Sequence, residues 1–436
     1  MRMAREIKED RQYDITIVGA TGFAGAIVSE YLVDRTSAAP IRLALAGRDR
    51  TRLSELRDRL VAACPDATRP ELVIVDLSDH DATDALVRAT AVVLTTAGPY
   101  GRYGDGLVAA CARHGTQYAD LTGEVPWMAR MIARHDSAAR ASGACIVHCC
   151  GFDSVPSDLG VLLLRDEFHR RYDRAPDAIR FVLGPTRGGF SGGTIASLIG
   201  VIDEARSDSS AREILRDRDS LTPSRLAGGT HRAAAKPGIT ARPRFDRAIR
   251  RWTIPFFMGA INEKVVRRSN ALAGFPLGED PDYREVIAFG AGPLGAVRAM
   301  AVWAGIGVFS GLIAIPFTRR LLGAVLLPKP GEGPRIALEK GGSFRVEISA
   351  FTAEPRAEAG RPANNDATPR LTVAVSAERD PGYGATAIMI AECALLLLDA
   401  TRTGDVRPGF QTPASAFGRA LVEKLTAAGV RFEVME

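Results

Sequence analysis

Lysine is the first scarcity. Six of the 56 Lys and Arg residues are lysine and the rest are arginine, an imbalance of the kind a biased genome composition leaves. Aromatic residues make up only 6% of the chain. Nucleic-acid binding needs a basic face interleaved with stacking rings, so the net charge of +5 does not point to that partner. Cysteine is sparse too. None of Cys64, Cys111, Cys145, Cys149, Cys150 and Cys393 forms a C-x-x-C pair matched by a second at zinc spacing. Three of them lie in the apolar run GACIVHCCGF, where they serve as small hydrophobes. With no secretory signal ahead of the first strand, they read as reduced thiols of a cytoplasmic protein. No H-E-x-x-H and no ordered Ser-His-Asp set with supporting motifs occurs, which argues against metal-assisted hydrolysis and serine acyl transfer. No metal site is expected.

At 46% hydrophobic and 25% charged over 436 residues, the chain has ample core for two domains. Near-continuous apolar strands occur at 13–18, 41–47, 71–77, 91–98, 116–121 and 145–150, separated by helix patterns at 22–35, 49–63, 79–89, 104–114 and 126–142. That alternation predicts a Rossmann-type α/β domain over residues 1–150, a doubly wound parallel sheet covered on both faces. Beyond it the rhythm changes. A helix pattern at 155–170, a strand at 178–184 and antiparallel strands at 343–353 and 370–378 predict a second, α+β domain over residues 151–382. Residues 207–250 read as a surface excursion, and 222–251 hold eight Lys or Arg against one acid, Asp246. The loop 354–369 reads as a tolerated insertion. Helices at 385–400 and 413–428 and a strand at 430–435 close the chain.

The stretch YDITIVGATGFAGAIVSEYLVDR carries glycines at 19, 22 and 25 between the first strand and the first helix. Gly19 allows the sharp turn, Gly22 lets backbone approach a pyrophosphate at the helix N-terminus, and Gly25 permits close helix–strand packing. Ala20, Thr21 and Phe23 belong to the same turn. The end of the second strand decides the cofactor. A carboxylate there serves the ribose of NAD, an arginine the 2′-phosphate of NADP. LALAGRDR places Arg48 at that point, with Arg50 and Arg52 nearby, which favours NADPH over NADH; Asp49 is the competing carboxylate. Asp76 is expected beside the adenine, and Thr95, Ala97, Gly98 and Pro99 beside the nicotinamide half.

Hydride transfer also needs a polar group to stabilise developing charge and a proton donor. The Tyr-x-x-x-Lys pair that serves short-chain dehydrogenases is missing, because none of the eight tyrosines has a lysine four residues on. The remaining catalytic candidates lie on loops at the crevice: Tyr100, Tyr103, Glu124, Asp153, Ser154 and Ser157. Tyr100 is the expected proton donor, since the loop after the fourth strand approaches the nicotinamide. Ser154 and Asp158 also fit a helix cap, Glu124 the anchor of a turn, and His148 a hydrogen-bonded core histidine.

One long segment carries no charge. Residues 299–318, AMAVWAGIGVFSGLIAIPFT, are flanked by Arg298 and by Arg319 and Arg320, and match the thickness of a bilayer core. Three glycines and Pro316 interrupt the run. A buried core helix or hairpin is the leading expectation, membrane-surface contact the second, and a true span the third.

The motifs GATGFAG, LALAGR, TTAGPYGRYGDGLVAAC, YADLTGE, GFDSVPSDLG, GGFSGGTIAS, RRSNAL and GYGATAIMIAECAL together resemble the saccharopine dehydrogenase-like oxidoreductases. Within them the chain is most similar to the trans-acting enoyl reductases of polyketide-lipid (phthiocerol-type) biosynthesis. The similarity runs from about Tyr13 to the C-terminal tail, and 222–251 and 354–369 depart from it. The resemblance implies a Rossmann domain followed by an α+β domain, with C-terminal helices (residues 383–436) returning to the first. It implies NADPH-dependent reduction of a carbon–carbon double bond in a polyketide or fatty-acyl chain. It reinforces Gly19, Gly22, Gly25 and Arg48 as cofactor contacts and carries over no catalytic residue. The implied partner is an acyl intermediate on a carrier protein, which the basic stretch 222–251 would suit; residues 299–318 would offer the chain an apolar surface, and a homodimer is compatible with all of this. Two other readings stay open. One is an amino-acid dehydrogenase for a saccharopine-like imine, which would want converging basic residues in the cleft. The other is a non-catalytic NADP-binding scaffold at a lipid surface.

Overall fold

Near-continuous apolar runs make strands that are buried on both faces, and they build the first sheet. The structure, a computed structural model, describes residues 11–37, 39–188, 192–222, 242–315, 341–352 and 369–435. β1 (Tyr13–Val18), β2 (Leu43–Gly47), β3 (Glu71–Ile74), β4 (Thr90–Thr95), β5 (Gln117–Asp120) and β6 (Cys145–Val147) lie parallel in the order β6-β5-β4-β1-β2-β3. β1 pairs with β2 at Ile15↔Leu43 and with β4 at Ile15↔Val92. The strand order therefore reverses between β1 and β4, the switch point at which open α/β sheets bind ligands. Ile15, Ile17, Leu45, Val92 and Leu94 are wholly buried, which is why these strands show no polar alternation.

The second sheet is mixed. It contains β7 (Ala178–Arg187), β8 (Arg244–Asp246), β9 (Arg251–Pro255), β10 (Tyr283–Ala288), β11 (Ser343–Phe351), β12 (Pro369–Ala377) and, after the short β13 (Gly409–Gln411), β14 (Arg431–Met435). Its order is β14-β12-β11-β7-β10-β9-β8. β7 and β10 are parallel, and β11 and β12 antiparallel as expected, with Phe344 opposite Ala377. The expected excursion 207–250 is not all irregular, because the helix Ser209–Arg216 and the edge strand β8 fall within it. Residues 223–241 and most of the loop 354–369 lie outside the described residues.

The C-terminal segment is stitched into both sheets. The helix Thr386–Thr403 packs on the helix Phe23–Arg35 and on β4 and β5. Its fully buried Glu392 accepts from Tyr31 Oη at 2.7 Å and Arg35 Nε at 3.0 Å. β13 pairs parallel with β6, and β14 antiparallel with β12.

The helix Gly259–Leu272 buries charge where a core helix would ordinarily bury hydrocarbon: Asn262, Glu263, Lys264, Arg267, Arg268 and Asn270 are all buried. These groups find partners across the fold. Arg268 donates to the Phe410 carbonyl in β13 at 2.6 Å, and Arg267 to Asp280 at 2.8 Å. Glu285 on β10 accepts from Tyr283 Oη at 2.6 Å and Asn262 Nδ2 at 2.9 Å. Burial pushes the carboxyls of Glu285 and Glu263 up to about 7. Each keeps its proton in the folded chain after an unfolded glutamate has lost it, so their stability contribution is full below the ordinary value near 4.5 and is lost as pH rises through about 7. Thermal unfolding is therefore expected at lower temperature near pH 8 than near pH 5. Glu285→Gln removes on the order of 3 kcal/mol of that dependence, and an unchanged pH dependence of the melting temperature in the variant would show that Glu285 is not its source.

The leading expectation for residues 299–318 is overturned. The helix Pro293–Ala314 lies on the surface with Val308 65% and Leu294 62% exposed. Among the described residues two helices are long and apolar enough to cross a membrane, Pro293–Leu312 and Pro381–Thr403, and their apolar stretches are 11% and 61% buried respectively. The second is a core helix. Most of the first is uncovered by the described residues; the expectation failed because apolar sequence looks alike whether protein or another apolar medium surrounds it. Residues 316–318 of the run lie outside the described residues.

Candidate cofactor and active site

The carboxyl ends of β1 to β4 open into a cavity of about 880 Å³, closed on its far side by the second sheet and by Pro381, Gly382, Tyr383 and Thr386. Gly19, Thr21, Gly22, Phe23, Gly25, Arg48, Asp76, Ala97, Gly98, Pro99, Tyr100, Tyr103 and Asp153 all line it. Two expected cofactor residues do not. Ala20 is sealed in the core. Thr95 is buried beneath the loop, where its Oγ1 accepts from the Ala97 amide at 3.2 Å. Its neighbour Thr96 lines the cavity instead and donates to the Gly19 carbonyl at 3.2 Å. Alternation along an extended strand end turns one of two successive threonines inward, and nothing in the sequence says which.

The glycine turn is built for close approach. Gly19 has φ +82°, a conformation that favours glycine. Any Cβ on Gly25 would sit inside the contact radius of the Gly19 carbonyl oxygen and 2.9 Å from both Ala20 Cα and Thr96 Oγ1. No side chain fits there, so the first turn of the helix Phe23–Arg35 can sit directly over the turn. The amides of that first turn have no intrahelical partner and face the cavity, where a pyrophosphate would satisfy them. The residues present therefore fit a dinucleotide.

The competition between Arg48 and Asp49 is decided by direction. Asp49 caps the helix Arg50–Ala63, accepting from the Arg52 amide at 3.1 Å, and does not line the cavity. Arg48 is exposed on the cavity rim beside Asp76, whose carboxylate is engaged by the Ser78 amide at 3.0 Å and hydroxyl at 2.8 Å. A cation at the end of β2 with the neighbouring carboxylate turned away suits a 2′-phosphate. Arg48→Ala is expected to weaken NADPH binding about tenfold to a hundredfold, the range for a charged hydrogen bond, and to leave NADH unchanged. A fluorescence titration with both nucleotides checks this; an equal loss for both would remove the phosphate role.

The loop after β4 is held rather than free. Glu124 accepts from the amides of Tyr100 and Gly101, both at 2.8 Å, and from Ser197 Oγ at 2.8 Å. Tyr100, expected as the proton donor, has its hydroxyl between two backbone groups. It donates to the Thr95 carbonyl at 3.2 Å and accepts from the Leu121 amide at 3.1 Å. Burial, and next the nearby Asp120, push its phenol well above the ordinary value. Tyr100 is thus a strut of the loop. Tyr103 is half-buried, with the Arg102 guanidinium 5.2 Å from its ring centre. His148 is a core histidine, its Nδ1 2.6 Å from Asp120 Oδ2. Ser154 and Asp158 do not cap their helix. Ser154 donates to Asn262 Oδ1 at 2.8 Å, and Asp158 accepts from the Ala414 amide at 2.8 Å.

Asp153 differs from these. It stands in the turn between β6 and the helix Val155–Tyr172, lines the cavity, and accepts no hydrogen bond among the described residues. The residue is half-buried against the cavity, and desolvation pushes its carboxyl up to about 6. Such a group can give up a proton near neutral pH. Beyond it the cavity becomes apolar, walled by Leu183, Val201, Leu215, Phe256, Met258 and Ile261. Arg48 and Arg102 are the only basic side chains among its described lining residues.

Comparison with known proteins agrees with this geometry. Residues 15–147 match the family described as the saccharopine dehydrogenase NADP binding domain. A Mycobacterium tuberculosis protein carrying the provisional name of trans-acting enoyl reductase is 38% identical over 436 residues, 97% of either chain. The trans-acting enoyl reductase of Mycobacterium bovis is 36% identical over 432 residues, again 97% of either chain. Among solved structures, the apo saccharopine dehydrogenase (L-Glu forming) of Saccharomyces cerevisiae shares the fold with a TM-score of 0.53 at 12% identity, covering 97% of this chain and all of that one.

Proposed function

Because the chain belongs to the trans-acting enoyl reductases of the saccharopine dehydrogenase-like family, and so acts as an NADPH-dependent enoyl reductase on CH–CH groups, we propose that its substrate is the α,β-double bond of a long apolar acyl chain presented as a thioester on a carrier protein. The observation that carries the substrate class is the apolar lobe of the cavity. A saccharopine-like imine would bring several carboxylates against Leu183, Val201 and Phe256, with Arg102 as the one basic lining residue not assigned to the cofactor. Burying those charges without partners is unfavourable, whereas an acyl chain suits the same wall.

Held at the glycine turn and Arg48, NADPH would supply a hydride to the β-carbon. As that bond forms, the π electrons move onto the thioester as an enolate, and Asp153 gives its proton to the α-carbon and regains one from water. Glu124 and Tyr100 act on position, fixing the loop that borders the nicotinamide half of the cavity. The arginines at 242–251, the described end of the basic stretch, suit the acidic surface usual in a carrier. We place the reaction in the cytoplasm next to a membrane, a reading supported by six free cysteines and by the exposed apolar helix.

Purified protein mixed with NADPH and trans-2-enoyl pantetheine thioesters of increasing length is expected to consume NADPH only when thioester is present, and faster with longer chains. Consumption with a dicarboxylic imino acid and none with any enoyl thioester would overturn the reading.

A further inference from the structure

We infer that the helix Pro293–Ala314 is immersed in one leaflet of an anionic lipid bilayer, without crossing it, and so holds the apolar lobe of the cavity at the hydrocarbon. The first ground is the distribution of apolar surface. At about 100° per residue, the exposed Leu294, Val297, Met300, Val302, Ile306, Val308 and Phe309 spread around the helix and not along one stripe. A helix from a second copy would cover one stripe and leave the others in water. Lipid covers all of them.

Topology excludes a crossing. The strand before the helix, β10, and the strand after it, β11, both pair with β7. The two ends of the segment therefore belong to one sheet on one side of a membrane. A return across the bilayer would take about 20 apolar residues. Between Ile315 and Ser343 the longest uncharged run is eight residues, Leu321–Pro328. The helix is about 33 Å long at 1.5 Å per residue, so it lies along the leaflet. Charge complementarity selects the lipid. Arg298 of this helix is the one charged residue in it, no acid occurs from there to residue 320 of the sequence, and a guanidinium on a long stem suits an anionic headgroup.

Position links the helix to the site. It packs against β9 and against the helix Gly192–Ser207. Val201 of that helix, and Phe256 and Phe257 immediately beyond β9, line the cavity, and Phe257 is also 45% exposed. The elements that carry the immersed helix are thus the walls of the apolar lobe, so an acyl chain can pass between bilayer and cavity without meeting water. This last step rests on the acyl substrate proposed above; the docking itself does not.

The test is flotation of the full chain with phosphatidylglycerol–phosphatidylcholine vesicles, beside phosphatidylcholine alone. Wild type is expected to float with the anionic vesicles. Ile306→Glu combined with Val308→Glu, both at exposed positions, is expected to reduce flotation at least about tenfold, to leave turnover of a short soluble enoyl thioester unchanged, and to abolish turnover of a long-chain thioester dissolved in vesicles. Wild type that stays with the dense fraction overturns the docking, as does a dimer by light scattering that the paired substitution splits into monomers. Flotation without turnover of any thioester would keep the docking and sink the acyl-thioester substrate; turnover without flotation would do the reverse.

Discussion

Asp153→Asn is expected to lower kcat about a hundredfold to ten-thousandfold, the range for loss of a positioned general acid, with NADPH affinity unchanged. The substitution keeps the shape of the side chain and accepts the same desolvated place, so the fold is undisturbed. The pH profile separates a proton donor from a structural residue. A donor works in its protonated form. With its pKa lifted to about 6 by burial, Asp153 is fully competent below that pH and its protonated fraction falls as pH rises. The wild-type kcat is therefore expected to decline above about pH 6, and the residual activity of the variant to lack that limb. A variant with kcat near wild type, or one that keeps the same decline, would move the donor role to another candidate such as Tyr103 or to solvent.

Gly25→Ala is expected to weaken NADPH binding about a hundredfold, the upper range for an overpacked site. The added methyl has no space between the Gly19 carbonyl, Ala20 Cα and Thr96 Oγ1, so the turn must move away from the helix that carries the phosphate-binding amides. Loss of NADPH fluorescence enhancement in a protein whose circular dichroism is unchanged is the expected result. Wild-type affinity would mean that the turn yields at no cost, and that the cofactor is held elsewhere in the cavity.

The residues differ in how legible they were. The glycine turn and the six parallel strands could be read directly, because burial on both faces and close backbone approach leave few residue types to choose from. Arg48 was favoured over Asp49 from sequence, and the coordinates supply the reason. The two are adjacent, and only the start of the helix Arg50–Ala63 shows that the carboxylate is consumed as a cap. The bonding of Tyr100 is hidden for a similar reason: its place in the chain is beside the nicotinamide half, but Glu124 pins the loop amides, and the hydroxyl bonds Thr95 and Leu121. β13 was missed because three residues, Gly409–Gln411, are too few for a period, and its partner lies far away in sequence. The polar helix Gly259–Leu272 resembles a surface helix until the second sheet is seen to cover it. Pro293–Ala314 erred the opposite way, being apolar enough for a core.

The late arrival of β13 has a consequence for biosynthesis. β6 is complete at Val147, but the strand that closes its open edge begins at Gly409. At ordinary elongation rates of about 5–20 residues per second, the ribosome needs tens of seconds to make what lies between. Throughout that interval a nascent nucleotide-binding unit exposes an unpaired, apolar parallel strand, a template for intermolecular pairing. Closure of that edge therefore waits for the end of the chain, and an isolated fragment of residues 1–150 would keep the same edge open.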